Sequence, residues 1–152
     1  MAAEREAEYG AGRRFLARLT DADLLPWVSD FCRRRAIRMA TFRATGSVSR
    51  FVLGVYDPSQ QVYATHAEES PREVVSCSGH VSANDGDPVV VAHAVLADAR
   101  GGTTGGRLFS ETRMIWGELA LRELRGPDLV RRYDPATGLE LWVSAEWGDF
   151  SR

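Results

Sequence analysis

Apolar and polar positions alternate with a period of two over most of the chain, and one stretch breaks into helical spacing. Residues 13–19 put Phe15, Ala17 and Leu19 on one face of a strand. A helix then opens in the acidic segment before Leu24, with Leu24, Trp27, Val28, Phe31 and Cys32 as its apolar stripe. Pro26 is tolerated there because first-turn N–H groups have no intrahelical partner, and the helix runs out among arginines near Arg35. Two tightly joined strands are expected over 37–48 and 50–56, followed by a turn at Asp57-Pro58-Ser59-Gln60 and a hairpin strand over 61–67. Strands over 73–82 and 88–97 flank a turn at 83–87 whose residues tolerate positive φ. The glycine-rich stretch 101–106 reads as a turn before a strand over 107–113, and 114–124 fits either helix or strand by pattern and is read as a strand. A last turn at 133–138 precedes Leu139-Glu140-Leu141-Trp142. The expectation is one α/β (α+β) domain over 12–145, a mostly antiparallel β-sheet packed with one main helix and short helices. Residues 1–11 read as a disordered tail and 146–152 as a second tail. The absence of βαβαβ alternation excludes a dinucleotide-binding fold.

Two of these strands point beyond a single chain. Residues 74–82 are apolar or small almost throughout, and 89–97 are apolar on both faces apart from His93. A strand apolar on both faces is covered on both. One helix cannot cover two faces, so a subunit interface and a homo-oligomer are expected. Length fits one domain. With 21 acidic against 19 basic residues the net charge is −2, which excludes the strongly basic balance of an obvious nucleic-acid binder. No apolar run reaches the ~20 residues of a membrane helix. The first residues carry no apolar core of a signal peptide, so the cytoplasm is the expected location. Cys32 and Cys77 have no CxxC spacing and are expected to be buried thiols.

Charge is unevenly spread. Residues 1–50 hold ten arginines against six acids, and all 19 basic residues of the chain are arginine. Arg33, Arg34, Arg35 and Arg38 form the densest cluster, a placement that also suits the C-terminal end of a helix dipole. With Arg13 and Arg14 they are the candidates for contacting phosphates. His93 is the one polar side chain of its strand. If the turn at 83–87 sets His80 opposite Val91, His80 and His93 share a face as diagonal neighbours, and a slip of one residue separates them. Two histidines begin a metal site, but three ligands are the usual minimum. The stretch 101–106 lacks the spacing of a phosphate loop, yet Arg107 follows it as a fixed cation beside exposed N–H groups, suited to a carboxylate or phosphate. No GxSxG or other nucleophile–base arrangement is present, and Glu68, Glu69 and Glu73 around Pro71 read as a solvated loop. A non-enzymatic protein is expected.

The order of Gly12-Arg13-Arg14-Phe15, Leu24-Leu25, Thr45-Gly46-Ser47-Val48, Leu53 to Pro58, Ser76 to Ser82, and Pro88 to Asp98 followed by Gly105-Gly106 resembles the plants-and-prokaryotes conserved (PPC) domain family, over residues 12–125. The resemblance implies a compact α/β domain assembling as a homotrimer. Members are often described as DNA-binding proteins, so DNA is the partner it implies, contacted through Arg13, Arg14, Arg33, Arg34, Arg35 and Arg38. The chain has no AT-hook-like RGRP core. Some prokaryotic relatives look like metal binders, with an H-x-H pair in the strand after the turn and a third histidine after the glycine pair. Here those positions are Val91-Ala92-His93 and Arg107, so only His93 matches as a metal ligand. Valine cannot ligate and arginine stays protonated, so neither zinc nor another cofactor is expected. A small anionic ligand held by His80, His93 and Arg107 at a subunit interface is the alternative occupant.

Overall fold

The computed structural model describes residues 5–144 and 147. Its elements are β1 (Gly10–Asp23), α1 (Leu24–Arg34), β2 (Ala40–Asp57), β3 (Val62–Glu68), β4 (Arg72–Asn84), β5 (Asp87–Ala97), β6 (Thr103–Leu108), β7 (Arg113–Arg125), β8 (Val130–Asp134) and β9 (Leu139–Val143). Every pairing is antiparallel. The main sheet has seven strands in the order β1-β7-β2-β4-β5-β6, with β3 also on β2, and β8 and β9 form a separate hairpin.

The sheet is organised by β2, a single 18-residue strand where two were expected. Its first half pairs with both β4 and β7, and its second half with both β3 and β6. Because β6 runs into β7 and β3 into β4 through short loops, β6 and β7 share one edge of β2 while β3 and β4 share the other. Since β5 joins β4 to β6, the sheet curls back on itself. Two glycines make this possible. Gly46 has φ +149, and a Cβ there would lie 2.2 Å from the Trp116 carbonyl oxygen on β7. A Cβ on Gly106 would lie 2.4 Å from the Gly54 carbonyl oxygen, where β6 returns to β2.

The helix fills the concave side. Its expected stripe is buried at Leu24, Val28, Phe31 and Cys32, and Phe31 meets Phe15 of β1 edge to face at 5.3 Å. Burying each of Leu24, Val28 and Phe31 contributes roughly 1.5–3 kcal/mol. On the strands the same side carries Leu19, Phe42, Ala44, Cys77, Val81, Ala92, Ala94, Leu119 and Leu121, all in one core cluster. Both cysteines are free and buried there, and burial pushes each thiol up to about 11.

Four further expectations change. Gly10 and Ala11, expected within the tail over 1–11, pair with Arg125 and Leu124 in β1, and residues 1–4 of that tail lie outside the described residues. The glycine-rich stretch is not a turn: Gly105 and Gly106 lie within β6, opposite Val95 and Ala94. The turn is instead 98–102, where Asp98 Oδ1 accepts from the N–H groups of Arg100 and Gly102. The strand expected over 107–113 is divided, β6 ending at Leu108 and β7 starting at Arg113. Among the described residues α1 is the one α-helix, so the short helices are not seen there. Most of the tail over 146–152 lies outside the described residues, but the indole N–H of Trp147 donates to the Glu6 carbonyl at 2.8 Å.

Gly46→Ala is expected to lower stability by roughly 2–4 kcal/mol, read as a fall in the urea midpoint, because backbone rather than a movable side chain meets the new methyl. An unchanged midpoint would mean that β2 and β7 separate locally at no cost.

Candidate functional site

The convex face of the sheet is built by the residues that alternate with the core. Register sets them in two rungs. One rung runs Arg14, Arg122, Thr41, His80, Val91 across β1, β7, β2, β4 and β5. The next runs Leu16, Ala120, Arg43, Ser78, His93, Arg107 and reaches β6. Neighbouring strands lie ≈ 4.7–4.9 Å apart, so these side chains form a continuous band. It carries four arginines and two histidines with no Asp or Glu in either rung. Among the described residues Arg14, Arg43, Arg107 and Arg122 have no hydrogen-bonded or ion-paired partner. Arg14, Arg43, Arg122 and His93 are exposed, while His80 and Arg107 are half-buried.

The register that puts the histidines together is the one the turn geometry favours: His80 faces Val91, Ser78 faces His93, and His93 faces Arg107. The glycines before Arg107 do not offer free N–H groups, since their strand is paired on β5. The Arg107 guanidinium lies 5.1 Å from the Tyr63 ring centre and 5.3 Å from that of Phe109. A residue beyond the sheet also enters. Arg131 of β8 stands 5.2 Å over the Trp142 ring, and Trp142 meets His80 at 4.7 Å. Burial, then the charges of Arg131 and His93, hold the His80 pKa below its ordinary value. Burial, then Arg107 and Arg131, do the same at His93.

Most of the arginines singled out near the helix are elsewhere and engaged. Arg13 forks onto Glu123 at 2.7 and 2.9 Å and donates to the Arg35 carbonyl. Arg33 pairs with Asp87 at 3.4 Å, Arg34 with Asp30 at 2.7 Å and Arg38 with Asp128 at 2.5 Å. Arg35 lies 3.8 Å over the Phe31 ring and donates to the Phe31 carbonyl. Arg14 alone of that set joins the open band. Arg43, Arg122 and Arg131 were missed, although Arg43 and Arg122 sit at the polar positions of their alternating strands, which is the one signal the sequence held.

A histidine-based metal site does not fit these residues. His93 has Arg107 opposite it and Val91 two residues before it on the same face. Among the described residues no three His, Cys, Asp or Glu side chains converge.

Helix inside, curled antiparallel sheet outside and a basic band on the open face define a small α+β domain whose exposed chemistry is that of fixed cations. The chain belongs to the Plants and Prokaryotes Conserved (PCC) domain family, whose profile matches residues 6–125. It is similar to a metal-containing protein from Archaeoglobus fulgidus, with 32% identity, a TM-score of 0.88, and 93% of this chain and 100% of that one covered. A plant- and prokaryote-conserved protein from Pyrococcus horikoshii shares 27% identity with a TM-score of 0.86, over 93% of this chain and 98% of that one. A candidate DNA-binding protein from Bacteroides thetaiotaomicron shares the fold at 17% identity and a TM-score of 0.78, over 91% and 97%. No curated protein matches the chain.

The Arg13–Glu123 fork makes a pH prediction. Hydrogen bonding from the Arg13 side chain, helped by its backbone N–H, holds the Glu123 carboxyl at about 2 instead of 4.5. A depressed carboxyl stabilises the fold above its ordinary range, and that stability is lost as pH falls through the folded value. Urea midpoints of the native protein and Glu123→Gln should therefore differ at neutral pH and converge between pH 4.5 and about 2. Parallel curves would show that the pair contributes nothing to stability.

Proposed function

We propose that the protein is a DNA-binding regulatory protein of the PCC family that works in the cytoplasm, without catalysis, as a homotrimer. The observation that carries the reading is the open, unpaired arginine pair Arg14 and Arg122, which face each other across β1 and β7. Guanidinium groups donate in a fork that matches phosphate oxygens, and no Asp or Glu stands in their rung. The net charge of −2 gives no long-range attraction to nucleic acid, so contact rests on this local face. Names given to the Bacteroides thetaiotaomicron and Ralstonia eutropha relatives as candidate DNA-binding proteins favour the same partner. No helix among the described residues is long and apolar enough to cross a membrane.

Self-association uses the apolar part of the same convex face. Leu16, Val75 and Val95 are 89%, 53% and 39% exposed. Leu16 and Val75 line an open groove of about 670 Å³ with Arg18, Arg43, Ser76 and Glu118. Contiguous exposed apolar surface of this kind marks an interface. Glu118 faces Arg18 across β1 and β7, which leaves one charge of each sign available to a second copy. A cyclic assembly would bury this half and leave Arg14, Arg122 and His80 towards the rim.

Two measurements test the reading. In fluorescence anisotropy with labelled duplex DNA, the protein is expected to bind with a dissociation constant of ~10⁻⁴–10⁻⁶ M near physiological salt, tightening steeply as salt falls. Replacing Arg14 and Arg122 together by Ala should remove most of the salt dependence, while replacing Arg33, Arg34 and Arg35 should leave it nearly intact. A flat titration at low salt overturns DNA binding. Native mass spectrometry should give a trimer for the natural chain and a monomer for Leu16→Glu/Val75→Glu, and a monomeric natural chain overturns the assembly.

A further inference from the structure

The hairpin of β8 and β9 is tied across the convex face at both ends. At its base, Asn84 donates to the Arg131 carbonyl at 3.2 Å and accepts from the Arg131 N–H at 2.9 Å. At its turn, the Tyr56 hydroxyl donates to the Thr137 carbonyl and the Gln61 amide donates to the Ala136 carbonyl at 2.6 Å. These ties hold Arg131 and Trp142 over the strands that carry His80, His93 and Arg107.

The arrangement concentrates like charge and leaves donors idle. Burial and the charge of Arg107 both work against the charged form of Arg131, with Glu140 and Tyr63 acting the other way. Glu140 is the one carboxylate that reaches this group, and none faces Arg107 in its rung. Six buried side-chain polar atoms among the described residues lack a hydrogen-bond partner, and four of them belong to this patch: His80 Nδ1, Ser82 Oγ, Arg131 Nε and Trp142 Nε1. A buried polar atom left without a partner keeps the whole cost of its lost hydration. Four such atoms on one patch beside two guanidinium groups call for an acceptor-rich, negatively charged partner.

We propose that a small phosphate group, as inorganic phosphate or a phosphomonoester, binds under this hairpin with Arg107 and Arg131 as its charged anchors and His80 and His93 beside them. Phosphate carries close to two negative charges near neutral pH and three or more acceptor oxygens, which suits several convergent donors better than a single carboxylate does. Bound there, it would relieve the Arg107–Arg131 repulsion and favour the protonated imidazoles. The site stands independently of DNA binding, because Arg14, Arg43 and Arg122 are not among its anchors.

The chain has three histidines, which makes the test specific. Imidazole NMR resonances of the full-length protein would be followed through a titration with inorganic phosphate at constant ionic strength, with acetate as the monocarboxylate control. Saturable shifts at His80 and His93, with exposed His66 unmoved and acetate weaker, are the expected result. Arg107→Ala and Arg131→Ala should each weaken phosphate at least about tenfold, the loss of one charge-assisted hydrogen bond, while Arg14→Ala/Arg122→Ala should not. A duplex DNA titration moving Arg14-side resonances but not His93 would separate the two surfaces. No saturation with phosphate, equal shifts at His66, or full affinity in both single variants overturns the proposal, whatever the DNA result.

Discussion

The structure depends on the capacity of β2 to hold four strands. Over 18 residues it supplies both edges twice, to β4 and β7 and then to β3 and β6. A strand shared in this way must bend, and its neighbours must approach its backbone closely. Gly46 against Trp116, and Gly106 against Gly54, are where side chains are excluded to permit that. The curl that results has a concave side that α1 fills with Leu24, Val28, Phe31 and Cys32, and the strand residues alternating with that core are turned outwards.

That outward face decides the chemistry. Antiparallel sheets in a single layer ordinarily leave one side to water. Here the exposed side is divided between apolar residues around Leu16 and Val75 and a band of arginines and histidines. Arginine is never without charge, so what distinguishes one arginine from another is its neighbour. Those around the helix end meet Glu123, Asp87, Asp30 and Asp128 and act as fasteners of the fold. Those on the convex face meet no carboxylate in their rungs, and their charge is available to a partner. Surface ion pairs contribute little individually, yet they remove an arginine from the set that is free to bind.

The C-terminal hairpin adds a second layer to one part of this face. It lies beyond the 6–125 span of the family profile, but its Trp142 meets His80 of β4, and its Arg131 is tied to Asn84 of β4 and acts electrostatically on His93 of β5 and Arg107 of β6. Residues inside and outside the shared domain thus meet at one place, and the orphaned donors are concentrated there.

The chain by itself determined the local elements. Alternation located β1, helical spacing located α1 and its buried stripe, and near-continuous apolar runs located β4 and β5, but the β4–β5 register stayed conditional because a slip of one residue puts His80 and His93 on opposite faces. His80 and His93 were therefore legible as neighbours in one register only, and the structure adopts that register, with Arg107 opposite His93. Tertiary structure decided the rest. Whether Arg33 or Arg43 is free depends on carboxylates such as Asp87, distant in sequence, and on registers between strands separated by tens of residues. The glycines at 105 and 106 looked like a turn because glycine tolerates any backbone conformation. Only the return of β6 onto Gly54 shows that they are there for close approach. Local propensity acts over a few residues, whereas the partner of a charge is chosen by packing across the whole domain.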